Sequence, residues 1–177
     1  MQGSCTAYEH SAHPTELAYA LERLKEEHHV LRQGLQALKT FAKQTGAAVT
    51  PVEGFRKLME LMQQTGAFML KLERHAEWEE NELFPLISEY YHRHSGPSIA
   101  PSIWMMEKDH ELASQFVRSF TEEANKITLP ADQRAVKRAT DHLIQACYIF
   151  GEHFDLEEEV IFAPAEQILM DIDYLFS

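Results

Sequence analysis

Residues 58–85 read LMELMQQTGAFMLKLERHAEWEENELFP, and this stretch decides the fold. Stepping alternately by three and four along it gives Leu58, Leu61, Thr65, Phe68, Leu72, His75 and Glu79. Such steps keep side chains on one face of a helix, the seam along which bundle helices pack. The last two places on that seam hold a histidine and a glutamate where core residues are expected. Just upstream, Thr50-Pro51-Val52-Glu53 forms a capping-box pattern, with proline suited to the first turn. Downstream, Pro85 should kink or end the helix within its preceding turn, because proline lacks the N–H and crowds the carbonyl four residues back.

The same seam recurs in three other segments. One reads Leu17, Leu21, Leu24, His28, Leu31, Leu35, Leu38. Another reads Ile103, Met106, His110, Ala113, Val117, Phe120. The last reads Val136, Ala139, Leu143, Ala146, Phe150, His153, Glu157, Val160. Each seam therefore carries one histidine, and two add a glutamate one turn on. Punctuation bounds the helices at about Pro14 to Gln44, Thr50 to His92, the Gly96-Pro97-Ser98 turn to Ile127, and Pro130 to Pro164, with an amphipathic tail from Ala165 to Phe176. Strand signals are nearly absent. The expected fold is all-α: an up-down-up-down four-helix bundle over residues 14–166, a flexible arm at 1–13, and a short C-terminal helix within 167–177.

The helices also pair as a twofold internal repeat. Glu27-His28 answers to Asp109-His110. His75-Ala76-Glu77-Trp78-Glu79-Glu80 answers to His153-Phe154-Asp155-Leu156-Glu157-Glu158, with one extra residue before the proline of the second copy. Two copies suit a pseudo-symmetric bundle rather than a solenoid.

Composition narrows the partners. The net charge is −12, and so acidic a chain repels phosphate backbones and anionic lipid, which argues against nucleic acid and membrane. No apolar run approaches the ~18 residues of a spanning helix. Residues 1–13 lack the basic flank and apolar core of a secretory signal. Two cysteines, Cys5 and Cys147, make no disulfide framework, so a reduced, cytoplasmic protein is expected.

The seam histidines carry the chemistry. Residues four apart share a helix face about 6 Å apart along the axis, so His75 with Glu79 and His153 with Glu157 aim at one place. His28 and His110 reach the same place from the other two helices. Facing carboxylates in a core cost several kcal/mol each and oppose each other's ionisation. No Lys or Arg lies on the four seams to neutralise them, but a pair of metal ions would. A single histidine on an apolar stripe is more often a satisfied core residue. Four on four seams, two with glutamate at one offset, are not explained that way. The ligand set suits iron, zinc or manganese rather than calcium or magnesium. His10, His13, His29, His92, His94 and His142 fall off the seams and read as surface residues, with His29 a neighbour of the site in sequence. Glu80 and Glu158, at five residues from their histidines, point about 140° away and are not expected as ligands. Cys147 and Tyr148 read as packing residues.

Glu27-His28-x-x-Leu31, His75-x-x-x-Glu79-Glu80-x-x-Leu83-Phe84-Pro85, Asp109-His110 and His153-x-x-x-Glu157-Glu158-x-x-Ile161-Phe162 together resemble the hemerythrin family, in its HHE cation-binding branch. Ferritin-like bundles instead use Glu-x-x-His motifs and carboxylate-rich shells. The resemblance covers about residues 14–166. It implies two non-haem iron ions in a bridged centre held by His28, His75, Glu79, His110, His153 and Glu157. It also implies a small diatomic ligand or peroxide as partner, handled by sensing, storage or detoxification. The catalytic alternatives are catalase-like or nitric oxide reductase-like activity, or iron donation to damaged iron centres. A third reading is structural, with zinc or no metal. Two departures stand out. The oxygen carriers of the family have a further histidine where this chain has Met106, and an aspartate five residues after the last histidine, where this chain has Glu158 after Glu157. Glu107, three residues before His110, is a possible extra ligand.

Overall fold

The computed structural model describes residues 14–93 and 100–176. The arm at 1–13, with Cys5, His10 and His13, lies outside the described residues, as do His94 and the Gly96-Pro97-Ser98 turn. Among the described residues there is no strand, and no helix is long and apolar enough to cross a membrane.

Helix α1 spans Pro14–Gly46, α2 Pro51–Trp78, α3 Phe84–Arg93, α4 Ala100–Lys126 and α5 Gln133–Phe176. The expected cap is present: the Thr50 hydroxyl accepts from the Glu53 N–H at 3.3 Å, with Pro51 opening α2. Gly46 closes α1, where a Cβ would lie 2.6 Å from the Thr140 hydroxyl. Helices α2 and α3 belong to one rod, joined by a wide π turn over Glu79–Leu83 in which the Phe84 N–H bonds to the Glu79 carbonyl. This is how the chain meets the proline expected to disturb it. Pro85 removes one N–H from the ladder, and widening the turn re-pairs the neighbours instead of ending the helix.

The C-terminal segment is helical as expected and continues α5 without a break through Pro164. Burial explains why the proline does not stop it. Ile161 and Ala165, on either side, are buried with Leu17, Leu21 and Leu24 of α1. Fully burying a side chain such as Ile161 contributes about 1.5–3 kcal/mol, comparable to the ~3 kcal/mol that a proline costs inside a helix.

Four rods thus form the bundle. Helix α5 packs along α1 and α4, α1 also packs along α2, and α2 meets α4 at only a few points. Among the described residues the core divides into two apolar clusters. The larger runs from Leu31 to Ala42 on α1 and includes Leu58, Phe68, Leu72, Phe120, Leu143 and Phe150. The smaller gathers Leu17, Leu24, Trp78, Leu83, Ile87, Met106 and Ile161. Every seam histidine falls between the two: His28 between Leu24 and Leu31, His75 between Leu72 and Trp78, His110 between Met106 and Ala113. A polar layer crosses the bundle with apolar packing on both sides.

Candidate metal centre

The sequence pattern puts one imidazole on each rod at the same height, and the structure brings all four to this layer. His28, His75, Glu79, His153 and Glu157 are at most 2 % exposed. His110 is half-buried. The rings of His28 and His75 lie 5.0 Å apart, and those of His110 and His153 lie 4.1 Å apart. Ligand atoms of His28, His75, Glu79 and Glu157 all fall within 4.8 Å of one another. So do those of Glu79, His110 and His153. Glu79 belongs to both groups. Glu157 also faces both halves, with Oε2 3.1 Å from His28 Nε2 and 3.6 Å from His153 Nε2.

Protein groups alone do not satisfy this layer. Among buried polar atoms without a hydrogen bond are His75 Nε2, both Glu79 oxygens, His110 Nε2, both His153 nitrogens and Glu157 Oε1. His75 Nε2 lies 2.5 Å from a Glu79 oxygen without hydrogen-bond alignment. Each such orphan costs about 1–3 kcal/mol, and native cores hold few of them. A cation in each group of ligand atoms would engage one nitrogen of each imidazole and the facing carboxylate oxygens, so the donor set fits bound metal.

Electrostatics divides the four histidines. Burial works to lower His28, but the carboxylates of Glu157, Glu79 and Glu158 overcome it and raise its pKa to about 10. His75 is raised in the same way, by Glu79 and Glu27 against burial. Burial pushes His110 down to about 4 and, with the His110 charge nearby, His153 down to about 3. Burial and the neighbouring Glu157 raise Glu79. Glu157 is held low against burial by His28 and His153. In the metal-free chain His28 is therefore protonated at neutral pH, and a cation entering the layer must displace that proton. Carboxylates that attract a proton attract a dication more strongly. Loading the protein near neutral pH should release about one proton per chain from His28, and apparent affinity should rise with pH until about 10. A pH indicator in weak buffer reads this directly; metal uptake without proton release would show that His28 is already neutral.

Sequence reasoning did not assign the groups behind the layer. Glu27 Oε2 accepts from His75 Nδ1 at 2.8 Å, and Glu158 Oε1 accepts from His28 Nδ1 at 2.9 Å. Both were legible only as neighbours of seam residues, one before His28 and one after Glu157. Glu158 does point off the seam, as its offset requires, but onto the back of an imidazole rather than into solvent. Glu80 is exposed, as is Glu107. His29 is exposed and bonds Gln33 at 2.8 Å, away from the layer. Met106 is 1 % exposed, within the smaller apolar cluster. Cys147 is buried, which pushes its thiol up to about 12 and leaves it a packing residue. Tyr148 is exposed, with the Lys39 ammonium 4.7 Å from its ring centre.

No curated protein and no solved structure matches the chain at a significant level. Comparison with protein families matches residues 19–165 to the hemerythrin HHE cation binding domain. That match spans most of the bundle and every seam histidine and glutamate. The chain belongs to the hemerythrin HHE cation-binding domain family.

Proposed function

We propose that His28, His75, Glu79, His110, His153 and Glu157 hold two non-haem iron ions bridged by Glu79 and Glu157. The centre would sense, store or detoxify oxygen, peroxide or nitric oxide. One observation carries the reading: Glu79 is shared by both groups of ligand atoms. A carboxylate has two oxygens, and a carboxylate within reach of two imidazole pairs suits a bridge between two ions. Four imidazoles with two carboxylates form a donor set of the hardness iron favours. Such a pair, when bound, supplies Lewis acidity and redox chemistry toward small oxygen and nitrogen species.

The chain's own residues do the rest. Glu27 and Glu158 accept the Nδ1–H of His75 and His28, which fixes the tautomer that turns Nε2 toward the centre. The apolar clusters on either side exclude water and keep the local dielectric low. Small uncharged molecules are the ligands such a layer admits most easily. Met106 offers no nitrogen where the oxygen carriers have histidine, and Glu107 faces solvent. That favours reaction with the ligand over reversible oxygen carriage.

The test is metal analysis of protein made with adequate iron, together with its optical spectrum before and after peroxide. About two iron atoms per chain are expected from the two ligand groups, with near-ultraviolet absorption that peroxide alters. One metal per chain, or zinc alone despite ample iron, would overturn the dinuclear iron reading.

A further inference from the structure

The internal repeat gives every residue around one half of the layer a counterpart around the other, and the counterparts differ. Behind His75, Glu27 is gripped by Arg23 at 2.7 Å. The Arg23 guanidinium lies over the Trp78 ring, 4.0 Å from its centre. Behind His28, Glu158 is gripped by Arg32 at 3.2 Å, and Arg32 also reaches Asp155 at 2.8 Å. Arg23, Glu27 and Arg32 stand five before, one before and four after His28. At the same offsets from His110 stand Met105, Asp109 and Ser114, and Glu80 answers Glu158.

None of these counterparts backs an imidazole. Asp109 is one methylene shorter than glutamate, and no described residue bonds its carboxylate. Glu80 is exposed. His153 Nδ1 is buried without a partner, and no described residue hydrogen-bonds His110. The first group of ligand atoms also includes both bridging carboxylates, the second only Glu79.

We propose that the two metal positions are inequivalent by construction: Glu27 and Glu158 are positioning residues that make the His28/His75 position the tighter one and leave His110/His153 the more labile. This rests on the dinuclear reading above. A carboxylate behind a ligating imidazole orients the ring and makes its other nitrogen a better donor, and losing one typically costs 10–100-fold in affinity. The arginines hold those carboxylates in place, and no described residue holds Asp109 in the same way.

The experiment titrates the metal-free full chain with Co(II), followed by calorimetry and by the visible bands of the bound ion. The wild type should show two resolved steps. Glu27→Gln and Glu158→Gln should each weaken the tighter step about 10–100-fold and shift its band, because glutamine keeps an acceptor but loses the charge. Asp109→Asn and Glu80→Gln should leave both steps in place. Both glutamates are about one-third exposed, so these substitutions bury no new polar group. As an independent check, Met105→Arg with Asp109→Glu should tighten the weaker step and narrow the gap. Two equivalent ions in the wild type would overturn the inference and keep the dinuclear reading. So would Asp109→Asn acting as strongly as Glu27→Gln. A wild-type capacity of one ion would instead overturn the dinuclear reading itself.

Discussion

Glu79→Ala should leave the protein with one iron ion per chain or none, while Glu80→Ala keeps about two. The difference lies in helix phase. Four residues from a histidine turn only about 40° from its direction, and five turn about 140°. Glu79 is wholly buried and belongs to both groups of ligand atoms, whereas Glu80 faces solvent. Glu157→Ala should match Glu79→Ala, since Glu157 faces both His28 and His153. Glu158→Ala is the informative fourth variant. It should still bind two ions at saturating iron, but with weaker affinity, because it removes the group behind His28 and not a ligand. Iron per chain after desalting, and again after dialysis against excess iron, separates the two effects. Equal losses at Glu79 and Glu80 would mean that the phase of α2 is wrong.

Removing the metal should lower the melting temperature by at least about 10 °C. For a domain of this size that shift corresponds to about 3–5 kcal/mol. The cost comes from the orphaned atoms of the polar layer, which in the metal-free chain are buried without hydrogen-bond partners among the described protein groups. Part of it is relieved by the proton on His28, so the gap should be widest at high pH, where that proton is lost. Raised pKa groups stabilise the metal-free fold below their folded pKa, and His28 ceases to do so as pH climbs toward about 10. Calorimetry of the chelated and reloaded protein at neutral pH and near pH 10 measures both quantities. Identical melting of the two forms would rule out a metal in the layer.

Much of this was legible in the sequence because the seam rule is a statement about one face of one helix. Leu58, Leu61, Phe68 and Leu72 are buried as their spacing requires, and so are His75 and Glu79. The bundle and the height of the polar layer follow from that rule applied four times. What was not legible depends on relations between helices. Glu27 lies beside a seam residue and could have faced solvent; only the packing of α1 on α2 turns it onto His75. Glu158 finds His28 for the same reason, through α1 and α5. The wide turn at Glu79–Leu83 was hidden differently. Pro85 signalled a disturbance, but whether a rod kinks, stops or widens depends on what its far end can bury, and Leu83, Phe84 and Ile87 bury well.

The placing of one polar layer between two apolar clusters has a consequence for how the rods align. Leucine-rich seams are forgiving: a rod slid along its axis by one turn, about 5.4 Å, still meets apolar neighbours. Here the same slip would drive Glu79 or Glu157 against leucine or phenylalanine and move a histidine out of reach of its partners. Each rod carries one notch, and only one setting lines up all four. The ionisable layer thus acts as an indexing pin for the bundle, before and apart from any ion it holds. Replacing all six residues by apolar ones should give a bundle that still collapses but no longer chooses a single alignment.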